Sequence, residues 1–148
     1  MSPRRVVVTG LGALTPIGNS VPAYWEGLIS GKSGAAPITY FDATDFKTKF
    51  ACELKGFNPL DHFDRKEARK QDRFAQYAMV SSDEAILDAG ITSENVDRDR
   101  VGVIWGAGIG GLETFQNEVI NFNRSKSELA YFCYSHCRIR LKPPFFNP

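Results

Sequence analysis

The chain has 148 residues, enough for one ordinary domain or part of one and too few for two full ones. Hydrophobic residues make up 43% and charged residues 24% of it, close to the globular average, which excludes intrinsic disorder, collagen-like repeats and fibrous coiled coils. Eighteen basic against seventeen acidic residues argue against a general binder of nucleic acid or membrane surfaces. Three cysteines, two of them crowded near the end, do not make a disulfide framework. No apolar run approaches the about eighteen residues of a membrane span. The opening Met1-Ser2-Pro3-Arg4-Arg5 leads into only three valines, too short for a secretory h-region. A cytoplasmic protein is expected.

Arg5-Val6-Val7-Val8-Thr9, closed by Gly10, predicts a strand buried on both faces of a parallel sheet. A glycine-rich turn follows, and then a helix capped by Ser20. Pro22 takes its tolerant first turn, Val21, Trp25, Leu28 and Ile29 form its apolar stripe, and Gly31 ends it. Strand, turn and helix in that order indicate an α/β unit. Residues 32 to 60 read as loop, with Phe41, Phe46, Phe50 and Phe57 as anchors and Phe50-Ala51-Cys52-Glu53-Leu54 as the best short strand. One long helix is expected from about Arg65 to Ala89, charged in its first half and apolar or small in its second, with Gly90 at its end. Val101-Gly102-Val103-Ile104-Trp105 predicts a second buried strand. It leads through Gly106 to Gly111 into a helix with Leu112, Phe115, Val119 and Phe122 on one face.

From Asn123 to Pro148 the character changes. Five basic residues (Arg124, Lys126, Arg138, Arg140, Lys142) stand against one acidic residue, Glu128, three of the eight prolines gather there, and the apolar residues keep no sustained period.

Gly106-x-Gly108-x-x-Gly111 matches a dinucleotide fingerprint and sits after a strand and before a helix, where backbone amides can hold a pyrophosphate. The fingerprint also requires an acid ending the next strand about 20 residues on, and Glu128 lies in the aperiodic tail. The glycines are read first as a tight turn or a close backbone approach, with a dinucleotide-binding α/β protein as an alternative. Gly31-Lys32-Ser33 imitates the end of a P-loop, yet Glu26 stands where the earlier glycine is needed, so a helix stop is the reading. Cys133, His136 and Cys137 offer three soft ligands where a closed zinc site needs four, so no metal is assigned. Cys52 has no neighbour that would activate it and reads as a small buried hydrophobe. His62 reads as a surface or helix-start residue. Lys66, Arg69, Lys70 and Arg73 recur at i, i+3, i+4 and i+7, placing four cations on one side of the long helix. Such a ridge is a solvated face or a dock for an acidic protein or a phosphate.

Four blocks, taken together, resemble the β-ketoacyl-acyl-carrier-protein synthases of the elongating type, synthase II. They are Arg4 to Gly12 continuing through Thr15-Pro16-Ile17-Gly18-Asn19, then Trp25 to Gly34, then Arg65 to Phe74, then Gly106 to Leu112. They keep the family's order and spacing and cover roughly residues 2 to 122. The resemblance implies a thiolase-like layered α/β fold, of which residues 1–122 would form an N-terminal part and 123–148 a divergent tail, out of frame or disordered. It implies an acyltransferase that joins an acyl thioester to malonyl carrier protein with loss of carbon dioxide, working as a homodimer without a cofactor. It also implies that Lys66, Arg69 and Lys70 receive the acidic acyl carrier protein and that Ile109 borders the acyl-chain pocket near the dimer interface.

The family's nucleophile lies in an Ala-Cys-x-Ser segment and its histidines in His-Gly-Thr and Gly-His contexts, and none of these occurs here. Cys133 and Cys137 have other neighbours, and neither His62 nor His136 sits in a matching motif. No catalytic residue is therefore assigned. The chain is expected to be truncated before the nucleophile, inactive in condensation by itself, and to expose strand edges and apolar faces that the rest of such a protein would cover. A non-catalytic carrier-protein docking module is the second alternative.

Overall fold

A computed structural model describes residues 5–92, 94–125 and 136–139. They fall into two compact units. One holds the described residues up to Asn58 together with Val80–Gly90, and the other holds Pro59–Met79 with the described residues from Ile91 onward.

In the first unit, α1 (Val21–Ile29) forms as its local signals require. Ser20 Oγ accepts from the Ala23 amide at 3.4 Å, Pro22 lies in the first turn where no intrahelical donor is needed, and Gly31 closes the helix at φ +66°. Gly27, on its buried face, lies against Ile17, leaving a Cβ only 3.0 Å from the Ile17 carbonyl oxygen. Thr15 and Gly18 exchange backbone hydrogen bonds of 2.9 and 3.2 Å, making Thr15-Pro16-Ile17-Gly18 a tight turn.

β1 (Ala36–Pro37) pairs antiparallel with β2 (Phe50–Ala51). β2 ends at Ala51, short of the expected Leu54, and the Glu53 carboxylate that follows it binds the chain just beyond β1. It accepts from the Thr39 amide at 3.0 Å and hydroxyl at 2.6 Å, and from the Tyr40 amide at 3.3 Å. Cys52 follows the strand and is exposed, so its reading as a buried hydrophobe is corrected. Phe41 and Phe46 meet edge to face, with centroids 5.4 Å apart.

Two sequence expectations fail on strands. Residues 5 to 9 run without regular secondary structure, and Val6 and Val8 are 93% and 80% exposed. A β-branched run has strand propensity, yet it becomes a strand only when a neighbour supplies the ladder, and none does among the described residues. The second expected strand forms as β3 (Val103–Gly106), antiparallel to β4 (His136–Ile139) rather than parallel, with Ile104 74% exposed. β4 arises in a stretch whose apolar residues keep no period.

The long helix is also two helices. α2 (Arg65–Ala68) ends in a turn over residues 69–72, and α3 (Arg73–Asp88) begins after it. Asp64 caps α2 by accepting from the Glu67 amide at 2.8 Å. The break is held by Gln76, itself buried, whose amide nitrogen donates to Ala68 O at 2.9 Å and Gln71 O at 3.1 Å, satisfying carbonyls that a continuous helix would have bonded. α3 buries a face of Ala75, Ala78, Ser82 and Ile86 and stops at Gly90, φ +62°, as expected. Its residues up to Met79 belong to the second unit and those from Val80 to the first. α4 (Leu112–Ser125) follows the glycine segment and continues through Phe122. The expected tail lies largely at 126–135 and 140–148, outside the described residues. Among the described residues no helix is long and apolar enough to cross a membrane.

Candidate functional site

The basic segment and the glycine segment both belong to the second unit. Lys66, on α2, and Arg69 and Lys70, in the turn after it, are all exposed. Arg73 does not join them. At the first position of α3, its Nε lies 3.1 Å from Glu113 Oε2 and its Nη2 3.4 Å from Glu113 Oε1, an exposed ion pair with the start of α4. The four-cation ridge expected from the spacing is a group of three.

Beside that ion pair, the Asp72 carboxylate accepts a hydrogen bond from the Thr114 hydroxyl and lies directly against Gly111. A Cβ on residue 111 would overlap the carboxylate, which is the physical requirement for glycine there. The glycine segment between β3 and α4 turns sharply. Gly110 takes φ +75°, its amide donates to Ala107 O at 3.2 Å, and the Leu112 amide returns to Gly110 O at 3.1 Å. Ile109, at the tip, is 75% exposed.

This geometry bears on the dinucleotide alternative. A pyrophosphate would need the amides at the start of α4 and the approach past Gly111, and the chain's own Asp72 carboxylate occupies that approach.

A cavity of about 460 Å³ belongs to the first unit, between the Thr15–Gly18 turn and the end of α1, where Ile17, Asn19, Ser30, Lys32 and Lys55 line it. Its polar lining includes Asn19, whose Nδ2 donates to Lys55 O at 2.8 Å. Among the described residues no cluster of histidine, cysteine or acidic side chains could hold a metal ion. Cys133 lies outside the described residues, while His136 and Cys137 contribute backbone to β4. His62 is exposed in the turn after a single 3₁₀ turn at Pro59–Asp61.

The sequence reading missed Asp72, Gln76 and Thr114. Asp72 reaches its hydroxyl partner across 42 residues, and no spacing rule carries such a pair. The glycine at 111, read as a close approach, was the one signal pointing to it.

The model of the β-ketoacyl synthase N-terminal domain matches residues 3–137. The chain belongs to the β-ketoacyl synthase family. Among curated relatives it is 47% identical over 115 residues to 3-oxoacyl-[acyl-carrier-protein] synthase 2 of Synechocystis, an alignment covering 78% of this chain and 28% of that protein. It is 50% identical over 113 residues to the protein of the same name from Staphylococcus aureus, covering 76% and 27%. The chain thus spans less than a third of the length of these relatives. Among solved structures, the ishigamide ketosynthase/chain length factor superposes with a TM-score of 0.65 at 32% identity, over 84% of this chain and 31% of that one. A type II polyketide ketosynthase in complex with its acyl carrier protein gives 0.63 at 27% identity, over 83% and 31%. The expected fold class, a partial thiolase-like layered α/β fold, is therefore borne out. The family match continues past residue 122, and of the four sequence blocks the first two lie in the first unit and the last two in the second.

Proposed function

We propose that this chain is the amino-terminal portion of a 3-oxoacyl-[acyl-carrier-protein] synthase of fatty acid elongation, the enzyme that condenses an acyl thioester with malonyl carrier protein as carbon dioxide leaves. The alignment with two relatives of that name over about three quarters of the chain carries the reading. Within it, Lys66, Arg69 and Lys70 form the landing surface for the acidic carrier protein, and Ile109 borders the acyl-chain pocket of a homodimer. The exposure of all three cations fits that role, and so does the complex of a related ketosynthase with its carrier protein. Charge complementarity between an acidic partner and three cations supplies encounter rate and register more than raw affinity. No residue of this chain takes a chemical step, because the nucleophile motif is absent from the sequence. Residues 123–148 are read as a divergent tail, although the family match still includes its first part to residue 137; the coding DNA from Phe122 onward, read in all three frames for an Ala-Cys-x-Ser segment, tests this.

The experiment for the docking reading is a fluorescence-anisotropy titration of labelled holo acyl carrier protein with the full chain. Saturable binding that weakens as salt is raised, and that disappears in Lys66→Glu with Arg69→Glu, is expected. Binding insensitive to both salt and charge reversal contradicts it.

A further inference from the structure

Three contacts run in series through the second unit. Gln76 ties the end of α2 and the following turn to α3 through Ala68 O and Gln71 O. Asp72, the last residue of that turn, accepts from Thr114 and abuts Gly111. Gly111 ends the turn whose tip is Ile109. We propose that Asp72 is a positioning residue: a carrier protein seated on Lys66, Arg69 and Lys70 displaces the turn at 69–72, and Asp72 passes that displacement through Gly111 and Thr114 to the Ile109 segment. The inference rests on the docking reading above and adds a coupling between the landing surface and the edge of the acyl pocket.

The physical case has three parts. α2 is four residues long, so propensity contributes little to its placement and its end contacts decide it. The Asp72–Thr114 contact is part-buried, which shields it from solvent and salt better than the neighbouring exposed Arg73–Glu113 pair. Gly111 offers no side chain to yield, so a shift of the carboxylate is met by backbone. The junction is also under-satisfied. Gln71 Oε1 and Gln76 Oε1 are buried without a hydrogen-bond donor among the described residues, so a rearrangement of this junction gives up no bond at either oxygen.

Hydrogen exchange read by mass spectrometry on the full chain, with and without holo acyl carrier protein, tests the coupling. In the wild-type chain and in Thr114→Ser, which keeps the hydroxyl, the carrier protein slows exchange both at residues 65–71 and, by about 5-fold or more, at 107–112. In Thr114→Val it protects 65–71 and leaves 107–112 within about 2-fold of the free chain. Unchanged exchange over residues 75–79 of α3, in the same unit, shows that the variant is folded there. Full protection at 107–112 in Thr114→Val overturns the proposal while leaving docking intact. Absence of protection at 65–71 in the wild type overturns docking. The coupling is then judged without partner: Thr114→Val must speed exchange at 65–71 as well as at 107–112, and an unchanged 65–71 segment refutes it.

Discussion

Glu84 and Val21 are joined by a 2.8 Å hydrogen bond from the Val21 amide to Glu84 Oε1, and the other carboxylate oxygen accepts from the Ala13 amide at the same distance. One side chain of α3 thereby holds both ends of the turn-bearing loop that precedes α1. One helical turn on, Asp88 repeats the device by accepting from the Leu11 amide at 2.9 Å. Gly10 and Gly12 permit it, because a Cβ at either position would overlap the backbone of α3 near Ala85 and Ser81.

Glu84→Ala leaves two part-buried amides without acceptors, and charged hydrogen bonds of this kind are worth about 1.5–3 kcal/mol each. The Ala13 and Val21 amides are expected to exchange at least roughly 30-fold faster, the equivalent of about 2 kcal/mol. Glu84→Gln, with one acceptor oxygen, should protect one of the two and expose the other. NMR-detected exchange reads both amides separately.

Gly111→Ala and Gly31→Ala are expected to destabilise for different reasons. At residue 31 there is open space and the cost is the φ of +66° alone, about 1–2 kcal/mol. At residue 111 the new methyl meets the Asp72 carboxylate, an overpacking cost of about 1–3 kcal/mol. Adding Asp72→Ala should relieve the second and leave the first unchanged. Urea denaturation of the two double mutants checks this non-additivity.

Because Arg73 is engaged by Glu113, Arg73→Ala is expected to leave carrier-protein affinity within about 2-fold, whereas Lys70→Ala should weaken it by roughly 1.5- to 5-fold, the range of an exposed ion pair. Equal losses in the two variants would restore Arg73 to the landing surface. Anisotropy titration measures both.

Asp42 accepts from the Thr44 hydroxyl and from its amide at 3.0 Å, and these bonds hold its carboxyl below the usual value of 3.8. A lowered folded-state pKa means that the turn's contribution is fully present above pH 3.8 and is lost as pH falls through the depressed value. Thr44→Ala is expected to move the Asp42 titration upward toward the ordinary range, as read by the carboxyl carbon shift. An unchanged midpoint would show that the hydroxyl contributes nothing.

What was legible in the sequence was local. Ser20, Pro22 and Gly31 delimit α1, and Gly90 ends α3, because caps and positive φ are settled within a turn of chain. What depended on distant partners was not. Val6, Val7 and Val8 have strand composition and form no strand among the described residues, since pairing is supplied from elsewhere in a chain or not at all. The break between α2 and α3 contains no proline or glycine and is imposed by Gln76 and by Asp72 reaching Thr114. The antiparallel register of Val103 with Ile139 joins segments with no common period. The candidate site divides in the same way: resemblance to motifs points to Lys66, Arg69, Lys70 and Ile109 as candidates, whereas the contact of Asp72 with Thr114 spans 42 residues and has no local signal.

Under the proposed function none of the three cysteine sulfurs of this chain accepts the acyl group. Intact-mass measurement of the purified chain during incubation with an acyl thioester reads this: Cys52, Cys133 and Cys137 are expected to be acylated no faster than free cysteine under the same conditions. Rapid formation of one thioester per chain, at a rate well above that of the free amino acid, would contradict it.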